Sequence, residues 1–141
     1  MPITSDKDIA ALLTSTRTIG VVGASNRPER ASYGVIHYLV DKGYVVIPVN
    51  PTLVGETIAG ASVVGALADI EVPVDMVDIF RNSEAASQVV DEAISICAAS
   101  IWMQLGVINT EAAARAEAAG LIVVMDRCPK IEIARLGISL S

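Results

Sequence analysis

A short glycine-rich segment near the N-terminus contains the residue types that bind phosphate. It reads Gly20-Val21-Val22-Gly23-Ala24-Ser25, follows an apolar run and precedes a helical pattern that begins at Tyr33. A turn of this kind between a buried strand and a helix leaves backbone N–H groups bare beside the positive end of the helix dipole, and both attract anions. The segment therefore predicts a binding site for a phosphorylated ligand.

The spacing of the glycines differs from the dinucleotide fingerprint. Gly20 and Gly23 are three residues apart and the next glycine is Gly34, so the pattern G-x-G-x-x-G is absent. An NAD site also needs an acidic residue after the second strand to bond the ribose, and Asn50-Pro51 stands there instead. NAD is therefore disfavoured and NADP is only weakly allowed. A tight turn that binds no ligand stays open as an explanation of the glycines.

Other side chains that can bind a ligand follow the predicted strands. Arg27 and Arg30 lie in the loop after the first strand and Arg81 follows the third, so each can form charge-assisted bonds with phosphate. Gln104 ends the fourth strand, and its amide can bond either a ligand or a neighbouring loop. Tyr33 can donate its hydroxyl to the ligand or pack beneath the loop.

The sequence does not predict a nucleophile paired with a base. Cys128 follows the fifth strand without a base next to it, and His37 falls inside a predicted helix. Asp75 and Asp78 belong to one strand and are predicted to face opposite sides of it, so they do not form an acid–base pair. We expect no catalytic residue, and a redox role for Cys128 stays open.

Alternating strands and helices must position these residues. Strands are predicted at residues 18–23, 44–49, 74–80, 100–104 and 121–125, and the β-branched run at 44–49 indicates a buried strand. Their alternation with amphipathic helices predicts an α/β fold, a doubly wound Rossmann-like parallel sheet of about five strands with helices on both faces. Residues 1–141 are expected to form one domain. Ligands bind such sheets beyond the carboxyl ends of the strands, so the candidate residues should meet on one rim.

Composition limits the class of partner. The chain has 141 residues and a formal net charge of −6, which opposes general binding to nucleic acid or to an anionic membrane. Charged or turn residues interrupt every apolar run well before the roughly 20 residues of a membrane span. No signal peptide pattern is visible, so we expect a cytoplasmic location. Cys97 and Cys128 form no C-x-x-C pair, so we predict neither a metal site nor a disulfide framework.

Five short motifs occur in order along the chain and together carry a family resemblance. They are Gly23-Ala24-Ser25-Asn26-Arg27-Pro28 with Ser32-Tyr33, Gly43-Tyr44 through Val49-Asn50-Pro51, Val77-Asp78-Ile79-Phe80-Arg81, Trp102-Met103-Gln104-Leu105-Gly106, and Met125-Asp126-Arg127-Cys128. In these motifs the chain resembles the stand-alone CoA-binding proteins, which are similar to the CoA-binding domain in the α subunit of succinyl-CoA synthetase. The resemblance spans nearly the whole chain after Thr16.

The resemblance implies that coenzyme A lies across the strand tips. Its diphosphate would lie near the glycine turn, and its adenosine part toward the second-strand loop and Phe80-Arg81. Coenzyme A carries a 3′-phosphate and a diphosphate, so it needs local cations where NAD needs a carboxylate. The predicted cofactor-binding residues are Gly23, Ala24, Ser25, Arg27, Arg30, Tyr33, Val49, Asn50, Pro51, Phe80, Arg81 and Gln104.

The residues and the resemblance favour a non-catalytic module that binds CoA or an acyl-CoA as a carrier, sensor or accessory subunit. A synthetase of the succinyl type needs a second domain with a phosphorylatable histidine, and we expect none in this sequence. Two alternatives stay open: an NAD(P)-binding oxidoreductase or redox-sensing domain, and one subunit of a two-chain acyl-CoA ligase. A homodimer or another protein partner also stays open, because the N-terminal helix and residues 131–140 can form a contact or cover their own sheet.

Overall fold

The computed structural model describes residues 1–140, which form strands and helices in alternation. The strands are β1 (Thr18–Val22), β2 (Val45–Val49), β3 (Thr57–Ile58), β4 (Ala61–Ser62), β5 (Met76–Ile79), β6 (Ser100–Met103) and β7 (Ile122–Val124). The helices are α1 (Asp6–Ser15), α2 (Ala31–Asp41), α3 (Ala86–Ser95), α4 (Thr110–Ala118) and α5 (Pro129–Leu136). A 3-10 turn at Leu67–Asp69 lies between β4 and β5.

Five parallel strands form the main sheet in the order β2-β1-β5-β6-β7. After β1 the chain builds β2 on one side and then returns to place β5 on the other side of β1, so the strand order reverses between β1 and β5. Helices α1, α2 and α5 cover one face and α3 and α4 cover the other. The predicted doubly wound Rossmann-like fold is confirmed, and the reversal marks the position where ligands bind such sheets.

The central strands are buried on both faces, but β2 is not. All four residues of β5 and all four of β6 are buried, as expected for strands covered by helices on both sides. Strand β2 lies at the edge of the sheet, and Val45 is 56% exposed. The prediction of a buried strand is therefore wrong at Val45, whereas Val46, Pro48 and Val49 are buried. A β-branched run alone does not distinguish an edge strand from a central one.

Helix ends follow local signals that the sequence contains. The Ser5 hydroxyl accepts from the backbone N–H of Asp8 at 3.1 Å, and the Asn109 side chain accepts from the N–H of Ala112 at 2.9 Å. Both satisfy donors that the first turn of a helix leaves free. Helix α2 begins at Ala31, earlier than the apolar pattern indicates. Its N-cap residue makes no side-chain cap.

The C-terminal segment covers its own sheet. Helix α5 packs against α1 and α2, and Ile133 and Ile138 join the buried cluster on that face. The Arg135 guanidinium pairs with Asp6 at 2.8 Å and with Glu132 at 3.0 Å, which ties α5 to α1. Within residues 1–140 no helix is both long enough and apolar enough to cross a membrane.

The exits of β1 and β5 meet at a glycine. Gly23 has a φ of +86°, and a Cβ atom placed there would lie 2.4 Å from the Phe80 carbonyl oxygen. The Phe80 N–H donates to the Val22 carbonyl at 2.8 Å, so the two backbones are held together at this level. A residue with a side chain would have to separate them. Gly23 is thus required by the close approach of two backbones as well as by its own conformation.

Replacement of Gly23 by alanine is expected to lower the free energy of unfolding by about 2 kcal/mol or more, because the left-handed backbone and the contact with Phe80 both oppose a Cβ. Gly34 is the matched control, since it lies inside α2 and a Cβ atom added to it would meet no other atom within 4 Å. Gly34→Ala is expected to raise the free energy of unfolding by roughly 0.5–1 kcal/mol through helix propensity. Urea unfolding measures both changes, and equal effects of the two variants would contradict this role of Gly23.

Candidate functional site

The residues that follow the strands meet along the carboxyl edge of the sheet, which we call the rim. Three adjoining cavities lie along it. The glycine-turn cavity, of about 340 Å³, is lined by Gly23, Ala24, Ser25, Arg27, Arg30, Ala31, Ser32, Asn50 and Phe80. The predicted convergence of these loops is therefore found in the structure.

The second cavity lies on the other side of the glycine turn. This strand-2 cavity has a volume of about 470 Å³ and is lined by Val22, Gly23, Val49, Asn50, Pro51, Thr52, Gly65, Ala66, Leu67, Arg81, Ala85, Gln88, Val89 and Glu92. It shares Gly23 and Asn50 with the glycine-turn cavity. A ligand that passes over Gly23 can therefore occupy both.

The third cavity continues the rim toward β6 and β7. This cysteine cavity has a volume of about 330 Å³ and is lined by Ala31, Val35, Phe80, Arg81, Gln104, Leu105, Val107 and Cys128. It shares Ala31 and Phe80 with the glycine-turn cavity and Arg81 with the strand-2 cavity. Most of its lining side chains are apolar, so it suits a less polar part of a ligand than the other two.

The backbone N–H groups of the glycine turn are not bare. Those of Gly23 and Ala24 donate to the Val49 carbonyl at 3.2 and 3.4 Å, and that of Ser25 donates to the Ser32 hydroxyl at 3.1 Å. The prediction that the turn presents free N–H groups to a phosphate is therefore wrong. These bonds attach the turn to β2 and to α2 instead.

Free donors lie a few residues further along, at the beginning of α2. The N–H groups of Ala31 and Ser32 have no hydrogen-bond partner among residues 1–140, because Arg30 provides no side-chain cap. Both residues line the glycine-turn cavity. The positive end of the α2 dipole is thus directed at the cavity by a helix of 11 residues.

The seven arginines of the chain fall into two groups. Those that line none of the three cavities use their guanidinium groups in the protein: they are Arg17, Arg115, Arg127 and Arg135. Those that line the three cavities, which we call the rim arginines, are Arg27, Arg30 and Arg81, and none of their guanidinium groups has a hydrogen-bonding or ion-pairing partner within residues 1–140. The rim therefore concentrates unneutralised positive charge on a chain whose net charge is −6.

Asn50 connects the two loops that surround the glycine turn. Its side-chain N–H donates to the Ala24 carbonyl at 2.8 Å, and its oxygen accepts from the N–H and the hydroxyl of Thr52 at 2.9 and 2.8 Å. An aspartate could not donate to Ala24. The Asn50 amide is thus needed to hold the two loops together, and its lack of charge also disfavours NAD as the ligand.

Two aromatic residues of the motifs lie away from the cavities. Tyr33 does not line any of the three, and its ring packs against His37 with the ring centroids 4.5 Å apart. Trp102 is fully buried, and its indole N–H donates to the Arg127 carbonyl at 2.7 Å. Trp102 is therefore a core residue that holds the loop after β7.

Asp78 is a buried acid that the sequence did not indicate. It is fully buried on β5, beside Val21 and Trp102, and neither carboxyl oxygen has a hydrogen-bond partner within residues 1–140. Burial raises the pKa of this carboxyl well above its usual value, because the charged form loses its solvation. Alternate residues of a strand share a face, which places Asp78 one step below Phe80 and the rim.

Several residues that line the three cavities were not predicted as binding residues, because their sequence pattern resembles an ordinary helix surface or core. Gln88 and Glu92 are four apart on α3 and read as a solvated face, while Ala31 and Val35 read as the beginning of a packed helix. Cys128 is predicted at the exit of the fifth strand but not among the binding residues. Because the exits of neighbouring parallel strands share one edge of the sheet, the position of Cys128 after the fifth predicted strand was a signal that could have included it.

Comparisons with known proteins agree in sequence and in fold. A family profile described as a CoA binding domain matches residues 17–134. A Bacillus subtilis protein described as the uncharacterized protein YneT is 38% identical over 127 residues, which are 90% of this chain and 93% of that protein.

Solved structures show the same architecture. A hypothetical protein from Pyrococcus horikoshii has a TM-score of 0.89 and 38% identity, with 96% of each chain covered. A Thermus thermophilus protein has a TM-score of 0.90 and 36% identity, covering 94% of this chain and 99% of that one. The fold also occurs within a dinucleotide-forming acetyl-coenzyme A synthetase from Candidatus Korarchaeum cryptofilum, at a TM-score of 0.71 and 22% identity over 82% of this chain and 26% of the synthetase.

The buried Asp78 predicts a pH-dependent loss of stability. Its folded pKa is raised above the ordinary value of 3.8, so above about pH 4 the unfolded state releases a proton that the folded state keeps. This contribution lowers the free energy of unfolding by about 1.4 kcal/mol for each pH unit up to the folded pKa. Asp78→Asn is therefore expected to become increasingly more stable than the wild type as pH rises from about 4.

Urea unfolding at several pH values measures this difference. Ser100→Ala is the control, because Ser100 is buried on the neighbouring strand and bonds the Asp75 carbonyl at 2.8 Å but does not ionise. Its change in the free energy of unfolding is expected to be independent of pH. A constant difference between Asp78→Asn and the wild type would show that Asp78 is ionised in the folded protein.

Proposed function

This chain belongs to the CoA-binding domain family, and from that premise we propose that it binds coenzyme A along the rim as a single non-catalytic domain. The observation that carries the proposal is the set of three rim arginines without partners. A ligand with a diphosphate and a further phosphate supplies the negative charge that these guanidinium groups lack in the protein. Each charge-assisted bond is worth about 1.5–3 kcal/mol.

The diphosphate fits the glycine-turn cavity. There the free N–H groups of Ala31 and Ser32 and the guanidinium groups of Arg27 and Arg30 line one space of about 340 Å³. Both kinds of donor favour the same anion, and the helix dipole adds to them. In this proposal the glycine turn allows the ligand to come close to the backbone but donates no hydrogen bonds to it.

The adenosine part fits the strand-2 cavity, which is larger and joins the glycine-turn cavity at Gly23. Pro51 and Val89 offer it apolar surface. Arg81 is the cation of this cavity and Glu92 is its carboxylate. The 3′-phosphate therefore binds on the Arg81 side, because a phosphate beside Glu92 would be repelled.

The pantetheine chain fits the cysteine cavity, whose lining is largely apolar. Gln104 is 6% exposed there, and its side-chain oxygen has no hydrogen-bond partner within residues 1–140. A buried amide without a partner is costly, and an amide of pantetheine offers both a donor and an acceptor to it. Gln104 is thus the residue proposed to bind this part of the ligand.

The proposal of a non-catalytic role rests on what surrounds the reactive parts of the ligand. The chain has a single histidine, and His37 packs on Tyr33 rather than lining any of the three cavities. Asp78 lines none of these cavities either, and burial raises its pKa and so disfavours the charged form that a general base needs. Neither is placed to activate Cys128, so the site fits a carrier or sensor of CoA or acyl-CoA.

A second candidate function is one subunit of a two-chain acyl-CoA ligase. It is favoured by the likeness in fold to the acetyl-coenzyme A synthetase, of which this chain spans 26% of the length. The discriminating assay adds ATP, acetate and CoA to the purified protein and measures acetyl-CoA. Formation of acetyl-CoA that needs both this chain and an added grasp-type subunit would establish the ligase role.

Titration calorimetry with coenzyme A, dephospho-CoA and NAD tests the proposal directly. We expect coenzyme A to bind most tightly, dephospho-CoA more weakly because it lacks the 3′-phosphate, and NAD weakest. Preference for NAD would overturn the proposal. Equal affinities for coenzyme A and dephospho-CoA would remove the role given to Arg81.

Removal of a rim arginine is expected to weaken coenzyme A binding. Arg30→Ala and Arg81→Ala should each raise the Kd roughly 10- to 100-fold, and Arg81→Ala should have a smaller effect on dephospho-CoA. Lys7→Ala is the matched control, because it removes one exposed positive charge on α1 from a side chain that lines none of the three cavities. The proposal fails if Lys7→Ala weakens binding as much as the arginine variants.

A further inference from the structure

We propose that Cys128 is a thiol–disulfide exchange site that captures coenzyme A as a mixed disulfide. The inference rests on the proposed function, because it requires the pantetheine chain to lie in the cysteine cavity. It goes beyond binding, since it assigns to the protein a covalent and reversible form of the complex. The ligand class is a disulfide of coenzyme A.

Cys128 lies where the thiol end of the ligand would be. Its side chain lines the cysteine cavity together with Gln104 and also lines a neighbouring cavity of about 380 Å³ beside Arg127 and Ile131. Cys128 is 7% exposed, so reagents reach it through these cavities rather than from open solvent. Access is therefore selective for a ligand that the cavities admit.

The order of groups along the rim matches their order along coenzyme A. The diphosphate is placed at Arg30, the chain passes Phe80, an unpartnered buried amide follows at Gln104, and the thiol of Cys128 comes last. Coenzyme A has its diphosphate, its amides and its thiol in the same sequence. The unpartnered Gln104 side chain points to a ligand in this cavity independently of the cysteine.

The loop that carries Cys128 is held in place on both sides. The Arg127 carbonyl accepts from the Trp102 indole at 2.7 Å and the Arg127 N–H donates to the Met103 carbonyl at 3.3 Å. The Arg127 guanidinium pairs with Glu132 at 2.7 Å, inside the first turn of α5. A thiol carried on a loop held in this way favours one attacking geometry.

The exchange step needs no oxidant beyond the ligand itself. The Cys128 sulfur, as thiolate, attacks one sulfur of CoA disulfide, the S–S bond of the ligand breaks, and a new S–S bond forms between Cys128 and one CoA. The second CoA leaves as a thiolate and takes up a proton equivalent to the one lost by Cys128. One disulfide breaks and one forms, so the total number of disulfides is unchanged. Attack by a free thiol on the mixed disulfide reverses the step.

The test is intact mass spectrometry of the protein after incubation with CoA disulfide, followed by non-reducing peptide mapping. We expect one CoA per chain, attached to Cys128. Cys97 is the internal control, because it is exposed yet lies at the end of α3, before β6 and away from the rim. Cys97→Ser should keep the adduct and Cys128→Ser should lose it, while mapping of the wild-type adduct identifies the cysteine without any variant.

Glutathione disulfide at the same concentration separates recognition from general thiol reactivity. Bound CoA disulfide gains from proximity, so its reaction at Cys128 should be at least about 10-fold faster than that of glutathione disulfide. Gln104→Ala should slow the reaction with CoA disulfide and leave that with glutathione disulfide unchanged. Preferred modification of Cys97, equal rates for the two disulfides, or no adduct on Cys128 would overturn the inference.

Calorimetry with reduced coenzyme A in the presence of a reductant keeps the two proposals separate. If the wild type and Cys128→Ser both bind coenzyme A but no adduct forms with CoA disulfide, the exchange site is wrong and the binding function stands. If neither protein binds reduced coenzyme A, the proposed function itself fails.

Discussion

The contact between the backbones of Gly23 and Phe80 is the constraint on which the rim depends. It lies between β1 and β5, where the strand order reverses, and it leaves no room for a side chain at Gly23. Because the two strand exits touch there, the loops that follow them must separate to either side. One cavity opens on each side of the contact, and both include Gly23 in their lining.

Hydrogen bonds within the protein explain why the turn itself is a poor anion site. Its N–H groups are used to attach it to Val49 and Ser32, so the turn is fixed but has few donors left. The donors for an anion come from the uncapped beginning of α2 and from arginines without partners in the part of the chain described, residues 1–140. Positive charge is thus local, on a chain whose overall charge would repel a phosphorylated ligand. The positive charge that attracts a phosphorylated ligand thus comes from α2 and the arginines, whereas the position of the rim comes from the contact between Gly23 and Phe80.

Local patterns were sufficient to predict the five strands of the main sheet, because each depends on neighbours within a few residues, and their alternation with helices predicted that the sheet is parallel. The convergence of Asn50, Phe80 and Gln104 was also predictable, since strand exits of a parallel sheet share one edge. The partners of the turn amides were not, because they come from β2 and α2. The burial of Asp78, with its raised pKa, and the exposure of Val45 on β2 depend in the same way on strand order, which a single sequence does not specify.

A crystal structure of the protein with coenzyme A tests the central claim most directly. The account predicts the diphosphate within hydrogen-bond distance of the N–H groups of Ala31 and Ser32, the adenosine beside Pro51, and the thiol end toward Cys128. A ligand whose diphosphate bonds the N–H groups of Gly23 or Ala24, or whose thiol end points away from Gln104, would contradict it.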